Sequence, residues 1–168
     1  MAGDDGYSLP VSGLDNGQFL VIHIPALTCI FLSFISAITV IAISFKKKSY
    51  KTFFSWSKSE RFVVYMALCD CLFNMAHTID HLHIVITKDH PHPREICIYY
   101  GFMLAVFITA QTLMVNIVAI NAFMLIFFHR QINFGKYEWR LLTFIFGVPA
   151  VGGIIGIALG QMGPNGSL

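Results

Sequence analysis

Charge is what this sequence has least of. Asp, Glu, Lys and Arg make up 12% of its 168 residues, against 56% hydrophobic ones. A soluble domain of this length would show helices of about 8–20 residues, each with one polar face. With so few charges the apolar residues cannot all be hidden from water, so a soluble globular fold is excluded. The strict alternation of outer-membrane strands is also missing. Residues 1–17 hold no Lys or Arg, and no short apolar run precedes a small-residue cleavage site, which excludes a cleavable signal peptide. No Cys-x-x-Cys or Cys/His zinc spacing occurs. Nor is there a Ser/His/Asp arrangement, a phosphate-cradling glycine loop or a pair of carboxylates. An enzyme is therefore not expected, and no cofactor or metal is implied.

What is present is four long apolar runs, at 19–45, 62–86, 96–128 and 141–160. Each is near or above the roughly 20 residues that an α-helix needs to cross a bilayer. The runs predict an all-α membrane protein with four transmembrane helices over 19–160, preceded by a segment 1–18 and followed by the start of a loop at 161–168. Basic residues sit on alternate loops. The first carries Lys46, Lys47, Lys48, Lys51, Lys58 and Arg61; the third carries Arg130, Lys136 and Arg140; the second has only Lys88 and Arg94. Nine against two predicts that the first and third loops face the cytosol and that both termini lie outside. Asp4, Asp5 and Asp15 near the start agree with that orientation. Tyr50, Phe53, Phe54 and Trp56 interleave with the first basic cluster. That suits seating at an anionic lipid surface, at about 1 kcal/mol per basic residue, or docking of a cytosolic partner. Nucleic acid is excluded as a partner, because these charges are pinned to a membrane.

Cys29, Cys69 and Cys71 fall inside apolar runs, where thiols behave as small hydrophobes. Cys97 sits at the outer end of the third run with no other external cysteine in the sequence. It is either a free thiol or half of a disulfide whose partner is absent.

The second run carries the least expected chemistry. Asp70, Asn74, His77 and His81 recur at i, i+4, i+7 and i+11. At about 100° per residue they share a stripe roughly 60° wide. An ionisable group at mid-membrane costs at least about 2.5–3.5 kcal/mol and turns toward a bundle interior or a wet cavity. The stripe is expected to face inward, as a hydrogen-bonded lock between helices or as a ligand, ion or proton site. A zinc site on His77 and His81 has two ligands, with loop residues His83, His90 and His92 as the only helpers. Thr109, Thr112 and Asn116 form a second polar line on the third run. At about 1.5 Å rise per residue, Asn116 and Asp70 lie at similar depth, and the two are expected to pair. Gln111 and Asn121 are expected to face other helices.

The fourth run spaces Gly152, Gly156 and Gly160 four apart, with Gly147 and Gly153 nearby. Such spacing admits a second helix backbone at close range, although glycine is common in membrane helices. Pro149 is expected to kink this helix. Asn165-Gly166-Ser167 matches a glycosylation acceptor close to the membrane.

The order of parts resembles the first four helices of a seven-helix G-protein-coupled receptor. Asp70 lies within Met66-Ala67-Leu68-Cys69-Asp70, Cys97 opens the third helix, and a proline marks the fourth. The acidic-Arg-Tyr triplet of the rhodopsin class is missing, since the chain reads Ala119-Ile120-Asn121-Ala122-Phe123 and later His129-Arg130. Lys136-Tyr137, Gly147-Val148-Pro149 and Gly163-Pro164-Asn165-Gly166-Ser167-Leu168 look more like the cyclic-AMP-receptor-like group. That resemblance implies the N-terminal half of a seven-helix bundle in the plasma membrane, with further spans after Leu168 and a cysteine there to pair with Cys97. It implies an unknown extracellular ligand and a heterotrimeric G protein, with Arg130, Lys136 and Arg140 facing that partner. Two other classes fit the residues: a four-pass structural or regulatory protein, and a channel or transporter subunit with a path lined by Asp70, His77 and His81.

Overall fold

The computed structural model describes residues 6–163. Asp4, Asp5, the glycosylation acceptor at Asn165 and the turn from Pro164 to Leu168 lie outside these residues. Among the described residues the chain is helical, with no strand. Helices α1 (Phe19–Lys47), α2 (Lys58–Thr87) and α3 (Arg94–Phe128) are followed by a composite fourth span, Lys136–Ala158. That span contains α4 (Trp139–Leu142), a π-helical turn (Thr143–Gly147) and α5 (Val148–Ala158). All four spans are long and apolar enough to cross a membrane.

Lipid offers no partner for a free N–H or C=O, so each span closes its own ladder. The hydroxyls on the exposed side of α1 do the same. Thr28, Ser36, Thr39 and Ser44 donate to carbonyls four residues back, at 2.7–2.8 Å. Helix α2 begins four residues before its apolar run, because Ser57 and Glu60 form a capping box. The Ser57 N–H donates to Glu60 Oε2 at 3.0 Å, and the Glu60 N–H returns to Ser57 Oγ at 3.4 Å. Together they satisfy two orphan donors at the helix start. In the fourth span Pro149 has no N–H to give back to Ile145. The irregularity lies one turn earlier than the proline, where residues 143–147 widen into the π turn.

The helices pack in chain order, α1 on α2, α2 on α3, and α3 on the π turn and α5. Two apolar clusters hold the ends. Phe62, Tyr65 and Cys69 of α2 meet Met114 of α3 and Leu141 and Ile145 of the fourth span near the basic loops. At the opposite, N-terminal end, Val11 of the leading segment packs with Phe19 and Ile84. Tyr7 fastens that segment over the bundle by donating to the Pro91 carbonyl at 2.9 Å and stacking on His92. The close glycine contact is not made by the predicted stripe. Gly152 and Gly160 have open space where a Cβ would stand, and Gly156 meets only the Met162 side chain. Gly153 is buried, and a Cβ there would come within 2.7 Å of the Phe102 ring on α3. Gly153 is thus the residue that lets α5 approach α3.

Candidate functional site

Helix α2 is the spine of the polar interior, and its polar contacts fall at three levels. At the basic end Glu138 is buried (4% exposed) and receives three donors. Arg61 reaches both its carboxylate oxygens, with Nη2 at 2.7 Å from Oε1 and Nε at 3.0 Å from Oε2. The Tyr65 hydroxyl donates to Oε2 at 2.9 Å. Arg61 also donates to the carbonyls of Phe54 and Trp56, and Lys58 Nζ donates to the Ile132 carbonyl at 2.7 Å. One residue cluster therefore ties α2 to both basic loops. The backbone at the clasp is unusual: Tyr137 and Glu138 both have φ 57°, a left-handed conformation that non-glycine residues adopt at a cost of about 1–3 kcal/mol. Before them Gly135 (φ +82°) is required, since a Cβ there would stand 2.7 Å from Trp139 Nε1.

At mid-span the predicted stripe lies in the seam with α1. Asn74 is buried and donates to Ser33 Oγ at 3.0 Å and to the Asp70 carbonyl at 2.8 Å. His81 is buried against His23 of α1, their Nδ1 atoms 3.0 Å apart. One ring must donate and the other accept, so the pair needs opposite tautomers at Nδ1. His77 packs edge-on to His81 at 4.5 Å and face-on to Phe73 at 5.3 Å. The Nδ1 of His77 and the Nε2 of His23 are buried without a partner. Among the described residues no group of three His, Cys, Asp or Glu side chains converges as a metal site.

Asp70 does not meet Asn116. Its Oδ1 accepts a hydrogen bond from Gln111 Nε2. Ala110 and Met114 are fully buried on the packed side of α3, and Gln111 is partly buried beside them. Asn116 lies about 140° around the helix from Gln111. Thr109, Thr112 and Asn116 are all exposed, and Thr112 simply bonds back to the Ile108 carbonyl at 2.9 Å. The expected pairing is corrected: the amide at 111 faces the acid, and the line through 109, 112 and 116 faces away from α2.

At the N-terminal end a cavity of about 250 Å³ opens between α2, α3 and the segment after α5. Asp80, Cys97 and Gln161 line it. Cys97 is a half-buried free thiol among the described residues. Arg130, Lys136 and Arg140 are exposed at the basic end; Lys136 lies over the Tyr137 ring and Arg140 over the Trp139 ring. Four residues of these contacts had no advance notice in the sequence reading: His23, Asp80, Gln111 as the acid's partner, and Glu138. Asp80 carried a usable signal, an acid inside a membrane run.

Residues 16–158 match the Git3 family, described as "G protein-coupled glucose receptor regulating Gpa2". No curated protein and no solved structure matches the chain. The match takes in all four spans and agrees with the membrane-spanning helices, so the chain belongs to the Git3 family of G-protein-coupled receptors.

Proposed function

We propose that this protein is a plasma-membrane receptor for glucose or a closely related sugar, acting on a heterotrimeric G protein whose α subunit is of the Gpa2 kind. The observation that carries this is the family match over 16–158, which runs through every span. In this reading the basic loops face the cytosol, in keeping with nine Lys and Arg against two, and the N-terminal end faces outward. The exposed Arg130, Lys136 and Arg140 then offer positive charge to the G protein. The likeness to the cyclic-AMP-receptor-like group supports a shared helix plan, not a shared ligand. A phosphate ligand wants Arg or Lys, and neither Lys88 nor Arg94 lines the outer cavity.

The mechanism is a population shift: sugar favours one arrangement of α2 and α3, and that arrangement alters the basic loops. The Arg61–Glu138 clasp is where a change in α2 reaches both loops at once. Asp70, Asn74, His77 and His81 act as the seam that keeps α2 in register with α1 and α3. The test is nucleotide exchange on a Gpa2-type α subunit in membranes that contain the protein. Glucose is expected to accelerate exchange, and exchange indifferent to glucose at every concentration defeats the sugar reading.

A further inference from the structure

We propose that the cavity at the N-terminal end is the sugar site, with Asp80 accepting hydrogen bonds from neighbouring ligand hydroxyls and the Gln161 amide completing the set. This assignment rests on the sugar reading above.

Asp80 is 6% exposed and lines the cavity. Among the described residues it makes no hydrogen bond and no ion pair. Its oxygens are not sealed in apolar packing but open on the cavity, so their acceptor sites stand free for a donor that enters it. The other acid of α2, Asp70, has its amide partner. Asp80 points about 80° away from the Asp70 stripe, toward the side where α3 and the chain after α5 converge. It sits seven residues from the end of α2 at Thr87, about 10 Å below the rim, within reach of a small molecule arriving from outside.

The lining selects the ligand chemistry. No Lys or Arg is part of it, so an anion would meet a bare carboxylate. No third metal-binding side chain joins Asp80 among the described residues. The Gln161 side chain makes no bond there and offers both an acceptor and a donor; its backbone N–H is taken by the Gly156 carbonyl at 2.9 Å. A hydroxyl is likewise donor and acceptor, whereas an ammonium only donates and leaves the amide N–H₂ unmatched. Ile84, Leu104 and Met162 supply apolar walls for the C–H faces of a ring. His90 closes one side, held by its Nε2 contact of 2.9 Å with the Leu9 carbonyl. The volume of about 250 Å³ equals roughly eight waters at liquid density, enough for one six-carbon ring with its hydroxyls.

Gly101 gives an independent handle. It lines the cavity, and a Cβ there would meet nothing within 4 Å. A side chain can therefore start there without an immediate clash, and Gly101→Leu puts its bulk into the site from α3. The experiment measures the thermal midpoint of the purified protein in lipid nanodiscs as D-glucose is raised. Wild type is expected to rise with sugar concentration, as any native-state ligand requires. Asp80→Asn should need about tenfold more sugar for the same rise, and Gly101→Leu should show none. Without sugar, both variants should melt no lower than wild type. Equal sugar shifts in wild type and both variants overturn the assignment while leaving the sugar reading standing. A lower sugar-free midpoint for Asp80→Asn makes the acid structural and also overturns it. A shift with a small monoamine but not with glucose replaces the ligand class, and no shift of wild type with glucose removes the sugar reading and the site together.

Discussion

The two ends of this bundle treat buried charge in opposite ways. At the basic end Glu138 is buried with Arg61 on both oxygens and Tyr65 beside it. At the N-terminal end Asp80 is buried to nearly the same degree, with no hydrogen bond or ion pair among the described residues and with His83, three residues on, as an electrostatic neighbour. The first carboxylate is a fastener, since its neighbours would be stranded by its loss. The second is a vacancy for hydrogen-bond donors, since its loss strands nothing. A receptor needs both: a stiff connection to the loops that meet its partner, and a site left incomplete until a ligand arrives.

The largest effect is expected at the fastener. Glu138→Ala leaves the Arg61 guanidinium, whose side chain is 13% exposed, without its counter-ion and with only the Phe54 and Trp56 carbonyls to receive it. Breaking one side of a buried pair costs about 3–5 kcal/mol. The loss is read from thermal midpoints in nanodiscs. A double-mutant cycle with Arg61→Leu should return a coupling well above the ±0.5 kcal/mol or so of independent sites. Coupling near zero would erase the contrast between the ends.

The seams between helices come next. Gly153→Val must push the Phe102 ring aside, because even a Cβ would sit 2.7 Å from it. Overpacking of this kind costs about 1–3 kcal/mol, and the α3–α5 seam should loosen, seen as faster amide exchange in α5. Gly152→Val, with open space at its Cβ, serves as the matched control and should not loosen it. His81→Ala removes the ring that faces His23 Nδ1 at 3.0 Å and leaves that buried nitrogen without the contact. That costs about 1–3 kcal/mol and should fall on the α1–α2 seam, so amide exchange in the first turns of α1 should rise while α5 is unchanged.

The sequence made the spans legible because a bilayer dictates both their length and their composition. It also revealed the angular stripe on α2, because helical spacing is local arithmetic. What it did not reveal is which faces meet. Gln111 and Asn116 are both amides, and only the packing of Ala110 and Met114 decides which one turns to Asp70. Among the five glycines of the apolar run 141–160, Phe102 singles out Gly153. Glu138 looks like a loop acid until its left-handed backbone buries it. Asp80 was hidden for a different reason. A search for aligned polar residues favours one stripe, and Asp80 stands about 80° away from the one through Asp70. What distinguishes it is the cavity it lines, which only the packing of α2 against α3 forms.

The smallest expected effect is also the one that sets the two ends most sharply apart. Glu138→Gln and Asp80→Asn make the same chemical change, a carboxylate to its amide. At 138 the amide nitrogen would face Arg61 donors, so a bidentate acceptor becomes half a donor and the protein should lose stability. At 80 the change removes a charge that no donor holds among the described residues, so the sugar-free protein should hold level or gain about 1 kcal/mol. Opposite signs for one substitution, measured in the same nanodiscs, would follow from what surrounds each group. The same sign at both ends would mean that Asp80 is held by its neighbours after all, and that the bundle is fastened alike from rim to loop.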